Sequence, residues 1–500
     1  MSVMEWSETK KNLIASKSIY NLLANLYTLC ANRFTLIHNL IKNNGKYCKE
    51  FREKQRQYKI ELLQLLGKAG DIFMADFSQI LHTIEVMPGI DEENFLIALW
   101  AYFSAIDLSM ADEKIYLNTY SPILCRASGY FGSKEYRLLF KPRNLIFTAI
   151  KDECSPEDQI KINKDIGQRI EDWLQNLVFY EADLSRNIDI KKIDPVVDHM
   201  LKDQGKNLAF AVAPIYCDYE YSFKTFNMPD GTAYVFENIN NKPTISQHID
   251  YVLRTCLEKD VHIVVFPELS IDLELRREVS DWLKLNNSEK KIIMVTAGSW
   301  HILKEEEMQT YVNNSAILRF DGEVLWEQGK MHQFQLNARD IKELLSLNLR
   351  GFEAFYKLLD APDQQCWEKI EIADTLKIFD SSIGRMAITI CLDYFVKERT
   401  DLLLEPNVNL IFLPAMSPTL NKIKQASFDS GTWGMASVFC ANSCWIITGG
   451  KIDVFKKEHS SFIYTPHKGG LMETVCTGDR GKCNFPILRI SEMFNKKLDK

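Results

Sequence analysis

Apolar and polar positions divide the chain into two textures. Between Asn12 and Ile41, residues Leu13, Ile19, Leu22, Leu23, Leu26, Leu29 and Cys30 fall roughly on one stripe. That three-to-four spacing predicts an amphipathic helix. Lys49 to Lys59 is a dense charged run of mixed sign. It reads as the solvated face of a helix continuing toward Leu62 and Leu66, in preference to a nucleic-acid contact. Glu92 to Leu108 is apolar on most sides and predicts a helix at the centre of its domain. Ser155-Pro156-Glu157 joins a capping hydroxyl, a proline suited to the first helical position and an acid in the first turn. The helix it starts should run through Ile160, Ile166, Ile170, Trp173 and Leu174. Residues 1–200 therefore predict an all-α accessory domain, with its boundary near the polar stretch Asp194 to Lys206. No Gly-rich loop, metal spacing or catalytic cluster stands out in this half.

From Asn207 onward short apolar runs alternate with amphipathic ones. Leu208 to Ile215, Val261 to Phe266, Lys291 to Ala297, Leu376 to Phe379, Met386 to Cys391, Leu410 to Leu413 and Cys444 to Thr448 predict strands. Ile245 to Leu257, Leu273 to Leu285 and Thr432 to Ala441 predict helices. Ser315 to Phe320 and Val324 to Trp326 flank Asp321-Gly322, a hairpin signal. Such alternation predicts an α/β domain over 201–500. Residues 337–366 interrupt the rhythm with Leu344, Leu345, Phe352, Phe355 and Leu358, a helical insertion that could serve as a lid or interface.

Composition narrows the classes. The chain has 500 residues, 46% of them hydrophobic, enough for two or three real cores. A net charge of -7 and a pI near 5.8 argue against a dedicated nucleic-acid binder. Met1 to Lys11 is polar, with no apolar core of a secretory signal, and no apolar run approaches a bilayer span. The expectation is a cytoplasmic protein without membrane contact. Its 12 cysteines are then mostly reduced and buried in place of a disulfide framework. Cys440 and Cys444, with Cys476, Cys483, His459 and His467, lack two compact ligand pairs, so no metal is expected.

Three apolar stretches end on reactive side chains. Val261 to Glu268 ends on a carboxylate, Gly329-Lys330 presents an amine, and Ala387 to Cys391 ends on a thiol. Taken alone, Cys391 would be a core cysteine. A free thiol is only a few per cent ionised at neutral pH, so a nucleophilic one needs a neighbouring base or cation. Glu268 and Lys330 are of the types that supply both.

The flanking residues resemble the carbon–nitrogen hydrolase (nitrilase) superfamily over about 207–490. Val264-Val265-Phe266-Pro267-Glu268 resembles its first catalytic block, and Asn314 to Leu318 with Asp321-Gly322-Glu323 resembles the hairpin before the lysine. Gly329-Lys330-Met331-His332 matches the lysine block. Phe379-Asp380, Gly384-Arg385-Met386 and Ile390 to Tyr394 match the cysteine block. Leu410 to Ala415 and Asn442 to Ile447 look like later strands. The resemblance implies an αββα sandwich, often a homo-oligomer, without a cofactor. It implies that Glu268 takes the Cys391 proton, that the thiolate attacks an amide or nitrile carbon, and that Lys330 stabilises the oxyanion with the Leu392 N–H. Glu368 and Glu371 are candidates for the family's second glutamate, Glu368 being preferred for its distance from the following strand. Asp393 would orient the loop, His332 would support Lys330, and Tyr394 and Trp433 are pocket candidates. The long gap between Lys330 and Cys391, and Val438 and Ala441 where Arg and Glu are usual, depart from the pattern. They favour, as the alternative, a binding or signalling module; an amine acyltransferase is not separable from a hydrolase by sequence. In the hydrolase reading the helical half would offer a protein-partner surface, an oligomer contact or a substrate gate.

Overall fold

The computed structural model describes residues 19–43, 45–69, 92–109, 123–127, 134–141, 145–146, 174, 176–183, 187–215, 220–229, 231–336, 365–417, 420–434, 436–442, 461–467, 470–475 and 485–491. The chain divides into two compact units: 1–142, 159–191 and 405–407 form one, and the remainder forms the other.

In the first unit α1 (Ile19–Ala31) and α2 (Phe34–Asn43) divide the single stripe expected between Asn12 and Ile41. The chain turns at Asn32-Arg33, where the Ile37 N–H already bonds back to the Arg33 carbonyl. Helix α3 (Gly45–Ala69) carries the charged run, and α4 (Glu92–Ser109) is buried from Phe95 to Asp107. A helix apolar all round belongs at the centre of a core. Three strands follow, β1 (Ile123–Ala127), β2 (Lys134–Phe140) and β3 (Leu177–Glu181), forming an antiparallel sheet in that order. This corrects the all-α expectation: the unit is α+β. Tyr27 of α1 stacks on Phe179 of β3 at 4.5 Å, and Asp107 accepts from the Asn176 and Leu177 N–H groups. The helix expected after Ser155 lies outside the described residues. Strand β4 (Ile188–Lys192) leads to the second unit.

The polar stretch expected to mark the domain boundary is helix α5 (Pro195–Gln204), capped by Asp194, whose carboxylate accepts the Val196 and Val197 N–H groups. Next come β5 (Ala209–Val212), β6 (Tyr221–Met228), β7 (Gly231–Ile239), α6 (Lys242–Glu258), β8 (Ile263–Val265) and α7 (Leu273–Asn286). A long hairpin follows, β9 (Met294–Glu305) and β10 (Thr310–Arg319), then β11 (Val324–Gly329) and β12 (Gln335–Leu336). After the expected insertion, whose residues 337–364 lie outside the described ones, come β13 (Gln365–Glu368), β14 (Leu376–Asp380) and β15 (Arg385–Ile388). The chain closes with α8 (Lys397–Leu404), β16 (Leu410–Ala415), α9 (Asn421–Gly434), β17 (Ser437–Asn442), β18 (Phe462–His467), β19 (Gly470–Val475) and β20 (Ile487–Arg489).

One sheet runs β11-β10-β9-β8-β5-β20, parallel at its centre and antiparallel at both edges. A second carries β19-β18-β17-β16-β15-β14, with β15, β16 and β17 parallel. The sheets face each other, and Phe210 of β5 stacks on Phe439 of β17 at 4.4 Å. Outside the first, Ile245, Ile249 and Val252 of α6 and Leu275, Val279 and Leu283 of α7 share a core with Val264 and Val295. Burying such a side chain is worth roughly 1.5–3 kcal/mol, so these rows hold the helices to the sheet. Helix α9 packs on the second sheet, which completes a helix–sheet–sheet–helix stack. A smaller sheet, β12-β13-β7-β6, joins this unit. The helix expected over Thr432 to Ala441 is instead the end of α9 followed by β17. Ser-Val-Phe-Cys-Ala-Asn is buried on both faces and carries no period to separate strand from helix. The strand expected at Cys444 to Thr448 lies outside the described residues.

Candidate active site

Glu268 sits three residues beyond β8, where Pro267 ends the apolar run. Its position depends on a close backbone approach: Gly298 has φ +58°, and a Cβ there would meet the Pro267 carbonyl oxygen at 2.1 Å. The Leu269 N–H donates to the Ser299 carbonyl at 2.8 Å, and Leu269 itself takes φ 52°. The Tyr221 hydroxyl donates to the Leu269 carbonyl at 2.9 Å. Glu268 is thereby held almost fully buried.

Lys330 follows β11 directly and is as buried as Glu268. Its N–H donates to the Asn313 carbonyl at 2.7 Å, and its carbonyl accepts from Ala373 at 2.9 Å. Cys391 departs from expectation in its backbone. The strand ends at Ile388, and Cys391 opens a 3-10 turn, Cys391–Tyr394, with φ 47°. A left-handed conformation at a non-glycine residue is uncommon and costs of order 1 kcal/mol. Asp393 accepts from the Met331 N–H at 2.9 Å, which ties the cysteine turn to the lysine turn. Its other oxygen lies 3.4 Å from His332 Nδ1. Leu392 is half-buried, and its carbonyl accepts from the Phe395 N–H. The Tyr394 hydroxyl donates to Ser430 at 3.0 Å, so Tyr394 is built into the core beside α9.

The side chains converge on one ammonium. Lys330 Nζ lies 3.0 Å from Glu268 Oε1 and 2.8 Å from Glu368 Oε2. Glu368, at the end of β13, also accepts the Phe334 N–H on Oε2 at 2.8 Å, and His301 Nε2 stands 3.1 Å from its Oε1. Asn313 Nδ2 bridges the carboxylates, 3.1 Å from Glu268 and 3.4 Å from Glu368. Glu371, the other candidate, is exposed and paired with Lys304 at 2.8 Å. Asn313 and His301 were not singled out from sequence. Each is a buried polar residue inside a strand of the first sheet.

The electrostatics separate the two carboxylates. Burial alone would raise Glu368, yet Lys330 and the His301 N–H outweigh it and hold it down to about 2. Burial raises Glu268, with Glu368 adding to the rise and Lys330 opposing it. Burial, with Glu268 beside it, pushes the Cys391 thiol well up, against the pull of Lys330 and the Met416 backbone N–H. Lys330 is itself raised: burial lowers it, and Glu268, Glu368 and Cys391 more than reverse that. Two titratable groups pushed apart by a shared cation allow one to stay charged while the other exchanges a proton. Buried charges are tolerated because each is paired and hydrogen-bonded.

No protein-family model and no curated protein matches this chain. Solved structures do resemble it. Nit3 of Saccharomyces cerevisiae, a member of branch 10 of the nitrilase superfamily, is 14% identical over 58% of this chain and 98% of its own, with a TM-score of 0.33. Within that superfamily, the Nesterenkonia AN1 amidase is 10% identical over 58% of this chain and 93% of its own, with a TM-score of 0.33. Glutamine-dependent NAD+ synthetase from Acinetobacter baumannii is 14% identical over 56% of this chain, with a TM-score of 0.35. The match spans 45% of that synthetase's length. Among the described residues no helix is long and apolar enough to cross a membrane.

Proposed function

We propose that the chain is a hydrolase of non-peptide carbon–nitrogen bonds, acting on an amide through a thioester on Cys391. The observation that carries this reading is the buried Lys330 ammonium between the Glu268 and Glu368 carboxylates, with the Cys391 thiol beside Glu268. In the resting site burial and Glu268 keep the thiol protonated. Glu268 accepts that proton as sulfur bonds to the carbonyl carbon. The carbonyl oxygen becomes an oxyanion, which receives the Lys330 N–H and the Leu392 N–H. A preorganised donor at such an oxygen is worth about 3 kcal/mol, roughly a hundredfold in rate. Glu268 then protonates the departing nitrogen, the C–N bond breaks, and a thioester remains. Water, losing a proton to Glu268, attacks the same carbon; the thiol is restored and a carboxylic acid leaves. Glu368 keeps Lys330 charged and aimed throughout. A nitrile carbon could take the same attack at the same thiol.

In Cys391→Ala, turnover of any amide that the wild type hydrolyses should fall to background, with the circular dichroism spectrum unchanged. Intact mass after mixing with substrate should show an acyl adduct in wild type and none in C391A. Full turnover by C391A would overturn the assignment. An unreactive wild-type Cys391 across a broad amide panel would favour a binding module built on the same fold.

A further inference from the structure

We propose that His301 is a positioning residue, fixing Glu368 as the permanent anion of the site and leaving Glu268 as the carboxylate that carries the proton. The roles rest on the hydrolase reading above; the geometry does not. His301 lies on β9 with its side chain fully buried, directly across from Asn313 of β10. Its Nδ1 accepts the Phe236 N–H of β7 at 2.8 Å, and its ring packs edge-on against Phe236. A ring nitrogen that accepts carries no hydrogen, so the neutral imidazole holds its proton on Nε2. That atom stands 3.1 Å from Glu368 Oε1 and donates to it. A backbone amide therefore selects the tautomer that supplies the carboxylate.

The result is an asymmetric pair. Both carboxylates share Lys330 and Asn313. Glu368 has in addition the His301 N–H and the Phe334 N–H, whereas Glu268 faces the Cys391 thiol. Donors to a carboxylate favour its anion. Among the described residues, the charged and titratable groups around Glu368 are Lys330, Glu268, His301 and the buried phenol of Tyr234 on β7. Of these, His301 is the neutral donor whose removal leaves every charge in place.

Two substitutions divide its two bonds. In His301→Asn the amide occupies the place of Nδ1 and retains the Phe236 bond, but the donor to Glu368 is gone. In His301→Gln the amide reaches the place of Nε2 and retains that donor. The test follows carbamidomethylation of Cys391 by iodoacetamide between pH 2 and 9, read by intact mass; sulfur displaces iodide and the thiol proton passes to Glu268. The acid limb of the rate should move up by about one pH unit in H301N, a tenfold slower rate on that limb, because a hydrogen bond to a charged group is of that size. H301Q should follow wild type. An H301N limb that does not move, or equal shifts in both variants, would overturn the proposal, as would a uniform loss at every pH. Nitrogen-15 spectra of the wild-type imidazole should show the Nε2–H tautomer at pH 7, and an Nδ1–H tautomer would overturn it independently of any variant. Should the limb shift appear while no amide is turned over, the hydrolase reading falls and His301 stands. Retained amide turnover with an unmoved limb gives the converse.

Discussion

Lys330 joins two buried acids whose environments differ, and the difference sets a pH dependence. Glu368 is held to about 2 from an ordinary 4.5 although burial works against it, because Lys330 and His301 favour its charged form. An acid depressed on folding stabilises the native state above its unfolded value, and that stability is lost as pH falls through the folded one. Here the window runs from about 4.5 down to about 2, and the shift is worth about 3 kcal/mol. Glu368→Gln should therefore lower the unfolding free energy by about 3 kcal/mol at pH 7, with the gap to wild type closing below pH 4.5. Urea denaturation at pH 7, 5 and 3 checks this, and a gap independent of pH would contradict it. The three reactive residues were legible in the sequence because each follows an apolar run at a chain turn. His301 and Asn313 were not, since a polar residue inside a buried strand reads as one more interruption until its partner across the sheet is known. Glu368 could be ranked above Glu371 from its spacing; the geometry separates them by burial, one on Lys330 and the other on exposed Lys304.

Single backbone positions control how the elements deliver these side chains. At Gly298 on β9, a methyl group would collide with the Pro267 carbonyl, one residue from Glu268, in a conformation that L residues rarely adopt. Gly298→Ala should cost about 2 kcal/mol or more, and it should slow Cys391 carbamidomethylation by displacing Glu268. A thermal melt paired with that rate tests both parts; an unchanged melt with an unchanged rate would show that the loop yields freely. Periodicity located α6, α7 and the β10–β11 hairpin because each has one clear burial pattern. It failed at β17, a strand buried on both faces, and at β1 to β3, whose pairing joins residues as far apart as Tyr136 and Glu181. Sheets made of distant segments depend on contacts that no local window contains.

Each of the two units has its own apolar core, so the molecule should lose structure in two steps. Leu23 is fully buried in the first core, among Leu26, Leu99 and Trp100. Leu23→Ala should destabilise that unit by about 2–5 kcal/mol. Differential scanning calorimetry should then show one transition moving down and the other in place, with Cys391 carbamidomethylation at 25 °C within about twofold of wild type, since Leu23 belongs to a core that shares no residue with the one around Glu268. One shared transition, shifted as a whole, would show that the cores melt together. The sequence put a boundary near Asp194 to Lys206, and the polar stretch there is the capped helix α5.

The pairing of one ammonium with two carboxylates has a further consequence for charge balance. Before reaction the trio carries one surplus negative charge, on Glu268. When the thiol proton crosses to Glu268, the same surplus passes to sulfur and then to the oxyanion beside Lys330. The pocket keeps a constant total charge while the location of that charge moves by one residue. No ion need enter or leave among side chains this deeply buried, where an uncompensated charge would cost several kcal/mol. Catalysis on this plan is a transfer of charge inside a closed account, and bulk salt has little hold on it.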